Sequence, residues 1–116
     1  MLPTVLVLEP QREIADALRE LLTSVRYAAL VRSHLVQLTD LGVTPAAIIV
    51  RVAFEGMGEP AHAAIKRLPP GRPPVIALVS NEREFVEAGR LGCDVVLRAP
   101  SEVNRLCDVL NQLVHA

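Results

Sequence analysis

Single charged or polar residues follow three of the short apolar runs in this sequence, and they are the best candidates for chemistry. Glu9 follows the first run, Arg51 the third and Ser80 the fourth. Arg51 and Ser80 could bind an anionic ligand, or Arg51 could instead pair with Glu9 and neutralise it. Glu9 has no nucleophile or metal ligand beside it, so it does not predict an acid–base catalyst. We therefore expect no enzyme activity, and we favour an internal Glu9–Arg51 pair.

Five short apolar runs predict the strands that carry these residues. Continuous apolar runs of this length are typical of strands that are covered on both faces of a parallel sheet. The runs are Val5–Leu8, Ala28–Val31, Ala47–Val50, Val75–Val79 and Val95–Leu97. In open parallel sheets the functional groups lie at the carboxyl ends of the strands. The positions of interest are therefore Glu9–Pro10, Arg51, Ser80–Asn81 and Arg98–Pro100.

Apolar residues spaced three and four apart predict a helix after each strand. The expected helices are Ile14–Val25, Leu35–Leu41, Ala61–Leu68, Glu82–Leu91 and Val103–Val114. Gly42 and Gly92 predict helix ends, and Asn81 and Glu84 have the spacing of a capping box. For Ser80 we expect a helix-capping hydroxyl rather than an anion ligand. Strands that alternate with helices predict parallel strands joined by right-handed crossovers.

The length and composition predict a single α/β domain over residues 1–116, located in the cytoplasm. The chain is 51% hydrophobic and 22% charged, which excludes a disordered tail. Its net charge of −1 argues against binding to nucleic acid or to an anionic membrane surface. No apolar run approaches the ~20 residues of a membrane span. Cys93 and Cys107 are too few for a disulfide framework, and we expect buried, unreactive thiols.

The histidines do not predict a metal site. His34, His62 and His115 are scattered without the spacing of metal ligands, so we expect all three to be solvated. No glycine-rich turn follows the first strand, which argues against a dinucleotide site. The sequence thus predicts neither a metal nor a cofactor.

The order and spacing of the elements resemble the receiver domain of bacterial response regulators, a module of two-component signalling. The matching stretches are Val5–Glu9, Pro45–Val50, Gly56–Met57, Pro74–Ser80 and Ala88–Pro100. The resemblance covers the whole chain and implies a flavodoxin-like (βα)5 three-layer sandwich. Its five-stranded parallel sheet is expected in the order 2-1-3-4-5.

The resemblance also implies a phosphorylation pocket at the strand ends, from which this sequence departs. Receiver domains hold Mg²⁺ on an acidic pair, phosphorylate an aspartate, and place a hydroxyl and a Lys-Pro pair beside it. These roles fall on Glu9 and Pro10, on Arg51, on Ser80, and on Ala99 and Pro100. Arg51 has no carboxylate to accept a phosphoryl group, Pro10 cannot ligate Mg²⁺ through its ring, and Ala99 has no ammonium. The chain therefore resembles a pseudo-receiver that is not phosphorylated.

For such a module we expect protein–protein interaction in bacterial signalling. In receiver domains the fourth helix, fifth strand and fifth helix form the docking face, here about Glu82–Leu91, Val95–Leu97 and Ser101–Val114. Its charged positions include Arg83, Glu87, Arg90, Arg98, Arg105 and Asp108. A face with charges of both signs suits pairing in a defined register with a protein partner or a second copy of the chain.

Two alternative functions stay open. Arg51 could sense an anion or small ligand, or the chain could be the receiver portion of a longer regulator with an unconventional phosphorylation site.

Overall fold

Each of the five apolar runs forms a strand of one parallel sheet. The computed structural model describes residues 2–34, 37–54 and 59–115. The strands are β1 (Thr4–Leu8), β2 (Ala28–Arg32), β3 (Ala47–Arg51), β4 (Val75–Val79) and β5 (Val95–Arg98). They lie in the order β2-β1-β3-β4-β5, and every neighbouring pair is parallel. The predicted fold class and strand order are therefore confirmed.

Both α-helices and 3₁₀ segments connect these strands. The α-helices are α1 (Arg12–Ser24), α2 (Glu82–Arg90) and α3 (Leu106–Val114). The 3₁₀ segments are Leu38–Leu41, Ala61–Arg67 and Val103–Arg105. α2 and α3 correspond to the fourth and fifth helices expected from the sequence, and the fifth starts with a 3₁₀ turn.

The connection between β2 and β3 contains a 3₁₀ segment where an α-helix was predicted. Leu38–Leu41 ends at Gly42, whose φ of 70° lies in the left-handed region that favours glycine. The predicted start at Leu35 lies outside the described residues. Four residues cannot repay the cost of nucleating an α-helix, so the tighter 3₁₀ pattern is the outcome.

The connection between β3 and β4 also holds a 3₁₀ segment, Ala61–Arg67, in place of the predicted α-helix. It stops at Leu68, which is extended with φ −73° and ψ 138°. A residue that precedes proline is disfavoured in the helical region, and Pro69 follows Leu68. In the preceding connection Gly42 was correctly predicted to end the segment. In both connections, however, an α-helix was predicted and a 3₁₀ segment is present.

The helices cover both faces of the sheet and enclose two apolar cores. On one face α1 and α3 pack against the strands and fully bury Leu22 and Leu110. On the other face the segment Ala61–Arg67 and α2 pack against the strands. Successive residues such as Val7 and Leu8 enter opposite cores, as the strand period requires. This three-layer arrangement confirms the predicted sandwich and explains why the strand runs are apolar throughout.

The two cysteines are free and only partly buried, so the expectation of buried thiols is wrong. Burial raises the pKa of Cys93 to about 11, although Arg72 opposes the shift. Burial also raises the pKa of Cys107. Both side chains are therefore protonated thiols near neutral pH, and the thiol form is a poor nucleophile.

Candidate functional site

The carboxyl ends of β1 and β3 bring the first two candidate residues together. Leu8 and Val50 are register partners in these parallel strands, so Glu9 and Arg51 follow at the same edge of the sheet. The Arg51 Nε–H donates to Glu9 Oε2, and the two atoms are 2.7 Å apart. The internal pair expected from the sequence is present.

Both oxygens of the Glu9 carboxylate accept hydrogen bonds. Arg51 binds Oε2, and the backbone N–H of Gln11 donates to Oε1 at 2.9 Å. The Glu9 side chain is 0% exposed and that of Arg51 is 15% exposed. Gln11 precedes α1, whose dipole also favours a negative charge at this end. Glu9 therefore joins the start of α1 to the end of β3, and a guanidinium occupies the space beside its carboxylate.

Ser80, the residue with a hydroxyl group directly after β4, does not cap the following helix. Because α2 begins at Glu82, its N-cap is Asn81, and Asn81 Oδ1 accepts the Glu84 N–H at 2.9 Å. Glu84 reaches back, and its Oε1 accepts the Ser80 N–H at 2.7 Å. The predicted pairing of Asn81 with Glu84 is confirmed. The predicted capping role of Ser80 is wrong by one residue, and Ser80 is exposed.

The other three pocket positions bring no ionisable side chain to this edge. Pro10 and Pro100 are exposed. Ala99 is partly buried beside β4, where its N–H donates to the Val79 carbonyl at 2.7 Å. Among the pocket positions, Glu9 and Arg51 are therefore the two that carry a charged side chain.

Two of the predicted interaction residues lie on a continuous surface of α2, β5 and the turn before α3, which we call the α2–β5–α3 face. The Arg98 guanidinium lies 4.4 Å from the centroid of the Phe85 ring and 3.6 Å from Glu82 Oε2. Glu102 accepts the Arg98 backbone N–H and the Arg105 side chain, each at 2.9 Å. These hydrogen bonds lower the pKa of Glu102. The face thus places an exposed aromatic ring within a charged rim.

Three other predicted interaction residues lie on the opposite flank of α2. There the Arg83 guanidinium lies 4.0 Å from the centroid of the Phe54 ring, which follows β3. We call the depression on this flank the α2 groove; its volume is about 350 Å³, and it is lined by Phe54, Arg83, Val86, Glu87 and Arg90. Asp108 is exposed on α3. The structure therefore divides the predicted interaction face into two surfaces.

His62 was expected to be solvated, but it is only 3% exposed. The Ala53 N–H donates to His62 Nδ1 at 3.4 Å, and the Phe54 ring meets the imidazole edge-on at 5.3 Å between centroids. Desolvation lowers the pKa of His62, although the charge of Glu87 opposes the shift. A signal for this burial was present in the sequence, because His62 lies three residues before Ile65 and shares its helical face.

The other two histidines, His34 and His115, are exposed as expected. The His115 ring stacks against Tyr27 with centroids 6.3 Å apart. The Tyr27 hydroxyl in turn donates to the Asn111 side chain. These contacts fix the end of α3 against the chain that leads into β2.

Comparison with solved structures defines the class of fold. The chemotaxis protein CheY4 of Vibrio cholerae matches with a TM-score of 0.78 at 15% identity, over 97% of this chain and 99% of that chain. A response regulator receiver protein from Burkholderia phymatum matches with a TM-score of 0.72 at 26% identity, over 94% and 95% of the two chains. The receiver domain of a signal transduction histidine kinase from Syntrophus aciditrophicus gives 0.75 at 22% identity, over 97% and 90%. The chain has the receiver-domain fold.

The likeness is one of three-dimensional structure. A scan against protein-family models finds no match, and a search of curated proteins finds none either. At identities this low the comparisons establish the fold of the chain, and its chemistry has to be argued from its own residues.

Two absences hold for the described part of the chain, residues 2–34, 37–54 and 59–115. No helix within them is long and apolar enough to cross a bilayer. Within the same ranges, no three His, Cys, Asp or Glu side chains are grouped so that they could hold a metal ion.

Proposed function

We propose that this chain is a receiver-like module that acts in bacterial signal transduction through protein contact, without being phosphorylated. The observation that carries the proposal is the buried Glu9–Arg51 pair. It lies where receiver domains bind Mg²⁺ and accept a phosphoryl group. A guanidinium at this place repels a divalent cation and offers no carboxylate for an acyl phosphate.

The α2–β5–α3 face supports the contact role. Phe85 is 38% exposed, and Arg98 packs on its ring. Glu82, Glu102 and Arg105 surround them with charges of both signs. An aromatic centre within a polar rim is the usual anatomy of a protein interface, and mixed charges select the register of the partner. A protein partner or a second copy of the chain would fit this face.

The alternative of an anion sensor at Arg51 has less support. An anion that took the guanidinium would leave the Glu9 carboxylate buried with its main partner lost. Breaking a buried pair in this way is strongly unfavourable. The geometry therefore favours a structural role for Arg51.

Phosphorylation is tested by incubating the protein with Mg²⁺ and acetyl phosphate and measuring its intact mass and amide spectrum. We expect neither to change. Arg51→Asp alone is also expected to stay unlabelled, because Pro10 leaves the metal without a second acid. The combined variant Pro10→Asp, Arg51→Asp, Ala99→Lys restores all three groups and serves as the positive control. A metal-dependent gain of one phosphoryl group by the unmodified chain would contradict the proposal.

The contact surface is tested by charge reversal. Arg98→Glu and Arg105→Glu are expected to weaken self-association in light scattering, or capture of a partner on immobilised protein. Arg19→Glu, at an exposed position on α1, is the matched control and should have no effect. Association that survives both reversals on the α2–β5–α3 face would place the interface elsewhere.

A further inference from the structure

His62 is a buried titratable side chain that the function proposed above does not use. It is 3% exposed and lies in the Ala61–Arg67 segment. Its Nδ1 accepts the Ala53 N–H at 3.4 Å. A ring nitrogen can accept a hydrogen bond only in the neutral imidazole, because both nitrogens of the imidazolium are donors. The hydrogen bond between this segment and the end of β3 therefore requires an unprotonated Nδ1.

The Phe54 ring extends this contact to α2. It meets the His62 imidazole with the ring centroids 5.3 Å apart and the ring planes at 76° to each other. The Arg83 guanidinium lies 4.0 Å from the centroid of the same Phe54 ring, and Arg83 is exposed. A chain of touching side chains thus runs from the Ala61–Arg67 segment past the end of β3 to the surface of α2. A change in the state of the imidazole can be transmitted along it.

α2 also holds a buried acceptor that lacks a donor. Glu87 Oε1 is closed to solvent and has no hydrogen-bond partner among residues 2–34, 37–54 and 59–115. A buried polar atom that water does not reach needs a partner from within the protein. The negative charge of Glu87 acts to raise the pKa of His62, so the two groups interact. Protonation of His62 supplies a donor that Glu87 Oε1 can use.

Desolvation is the main influence on the pKa of His62 and keeps it below the ordinary value of 6.5. Charged side chains on α2 and on the Ala61–Arg67 segment act in addition; in order of strength they are Glu87, Lys66 and Glu84. The two carboxylates favour the imidazolium and the ammonium opposes it. Arg67 is paired with Glu59, and residues 52–54 at the end of β3 carry no charge. The imidazole is therefore neutral at pH 7 and gains its proton as the pH falls.

We propose that His62 is an acid-sensitive switch that holds the end of β3 in one of two arrangements. In the neutral arrangement Nδ1 accepts the Ala53 N–H. In the acid arrangement a proton from water occupies Nδ1, the bond to Ala53 breaks, and the imidazolium donates to Glu87 Oε1. At 3.4 Å the bond that breaks is long, whereas the bond that forms is charge-assisted and stronger. The α2 groove changes shape with the switch, because Phe54, Arg83 and Glu87 line it.

The unmodified protein tests the switch by NMR between about pH 8 and pH 5, the range in which histidine changes charge. The ring ¹⁵N shifts report the protonation of His62. The backbone amides of Ala53 and Phe54 report the end of β3, and the Arg83 Nε–H reports the groove. We expect all of them to move with one midpoint below 6.5 while the fold stays intact. The switch uses no residue of the Glu9–Arg51 pair, so its failure would leave the proposed function standing.

Variants assign the parts of the switch. His62→Gln removes the titrating group and should abolish the pH-dependent movement of the Ala53 amide. Glu87→Gln removes a charge that favours the imidazolium, so the midpoint should fall further below that of the unmodified protein. His34→Gln, at an exposed histidine, is the matched control and should leave the movement unchanged.

Four results would overturn the proposal. The Ala53 amide could still move with pH in His62→Gln, or the midpoint could stay the same or rise in Glu87→Gln. In the unmodified protein, His62 could gain its proton without a change at Ala53, or it could stay neutral down to about pH 5. The last two results are read from the unmodified chain, so the test does not depend on the folding of His62→Gln.

Discussion

Two ion pairs join a carboxylate to an arginine at opposite edges of the same sheet. At the carboxyl edge Arg51 and Glu9 are 2.7 Å apart, with side chains 15% and 0% exposed. At the amino edge Arg72 and Asp94 are 2.9 Å apart, with side chains 20% and 43% exposed. The distances are similar, so the main difference is the burial of the carboxylate. A buried carboxylate depends on its partner, whereas an exposed one keeps water as a substitute.

The pair at the amino edge nevertheless organises the strands that start there. Asp94 Oδ2 also accepts the Val75 N–H at 2.7 Å, and Arg72 Nη2 donates to the Gly92 carbonyl at 2.7 Å. Partial desolvation works to raise the pKa of Asp94, but the hydrogen bonds from Arg72 and Val75 outweigh it, and the pKa is lowered. One pair thus holds the ends of β1 and β3, and the other holds the starts of β4 and β5.

The largest effect is expected when the buried pair is broken. Arg51→Met leaves the Glu9 carboxylate without its guanidinium, and we expect the free energy of unfolding to fall by about 3–5 kcal/mol. Glu9→Gln should cost less, because the 15% exposed Arg51 side chain can reach water. Urea denaturation of both single variants and the double variant gives the coupling energy, which we expect to be about 2 kcal/mol.

An exposed pair on α1 provides the control for this cycle. Arg12 and Asp16 are 3.9 Å apart with side chains 94% and 57% exposed, so Arg12→Met should change stability by less than about 0.5 kcal/mol. Additive effects of Glu9→Gln and Arg51→Met would mean that the two side chains do not interact in solution.

A smaller effect is expected at the amino edge. Arg72→Met removes a partner of the half-exposed Asp94 carboxylate, and we expect a loss of about 1 kcal/mol in urea denaturation. A loss as large as that of Arg51→Met would show that burial does not decide the difference between the two edges.

The pH dependence of stability gives a second measure of the amino-edge pair. Because the folded-state pKa of Asp94 is lowered, its contribution is fully present above the ordinary value of 3.8 and is lost as pH falls through the folded-state pKa. The stability of Asp94→Asn should therefore approach that of the unmodified protein as the pH is lowered below 3.8. A difference between the two proteins that stays constant across this range would assign the effect to shape rather than charge.

The smallest effect is expected on the α2–β5–α3 face. Arg98 and Glu82 are 3.6 Å apart with side chains 46% and 75% exposed. Glu82→Gln should change the free energy of unfolding by less than about 0.5 kcal/mol, measured in urea. A loss above about 1 kcal/mol would mean that this surface has a folding role beyond that of an exposed pair.

The buried strands were predictable because a continuous run of apolar residues indicates a strand that is covered on both faces. The runs at Val5–Leu8 and Val75–Val79 identified β1 and β4. The strand order implied by the resemblance to receiver domains made β1 and β3 neighbours and so placed Glu9 beside Arg51. The Arg72–Asp94 pair was not predicted. Its residues are 22 positions apart and lie at the amino edge, where no functional rule directs attention.

Features that depend on the exact start of a helix or on the direction of one side chain were harder to predict. Ser80 and Asn81 are both good caps, and only the starting residue of α2 decides between them. The burial of His62 depends on how a 3₁₀ segment packs against Phe54. The resemblance to receiver domains placed Arg83 on the same docking face as Arg98, whereas the Arg83 guanidinium packs on Phe54 at the other flank of α2.

The enclosed contact between Glu9 and Arg51 also constrains how this sequence can change over evolutionary time. An acid introduced first at position 51 would face another acid at a buried edge. A neutral residue introduced first at position 9 would leave the arginine without its acceptor. Either single step passes through a less stable protein, so each substitution is conditional on the other. We expect descendants of this chain to inherit the two residues as a unit, and the appearance of a metal-binding acidic pair at this edge would require coordinated change.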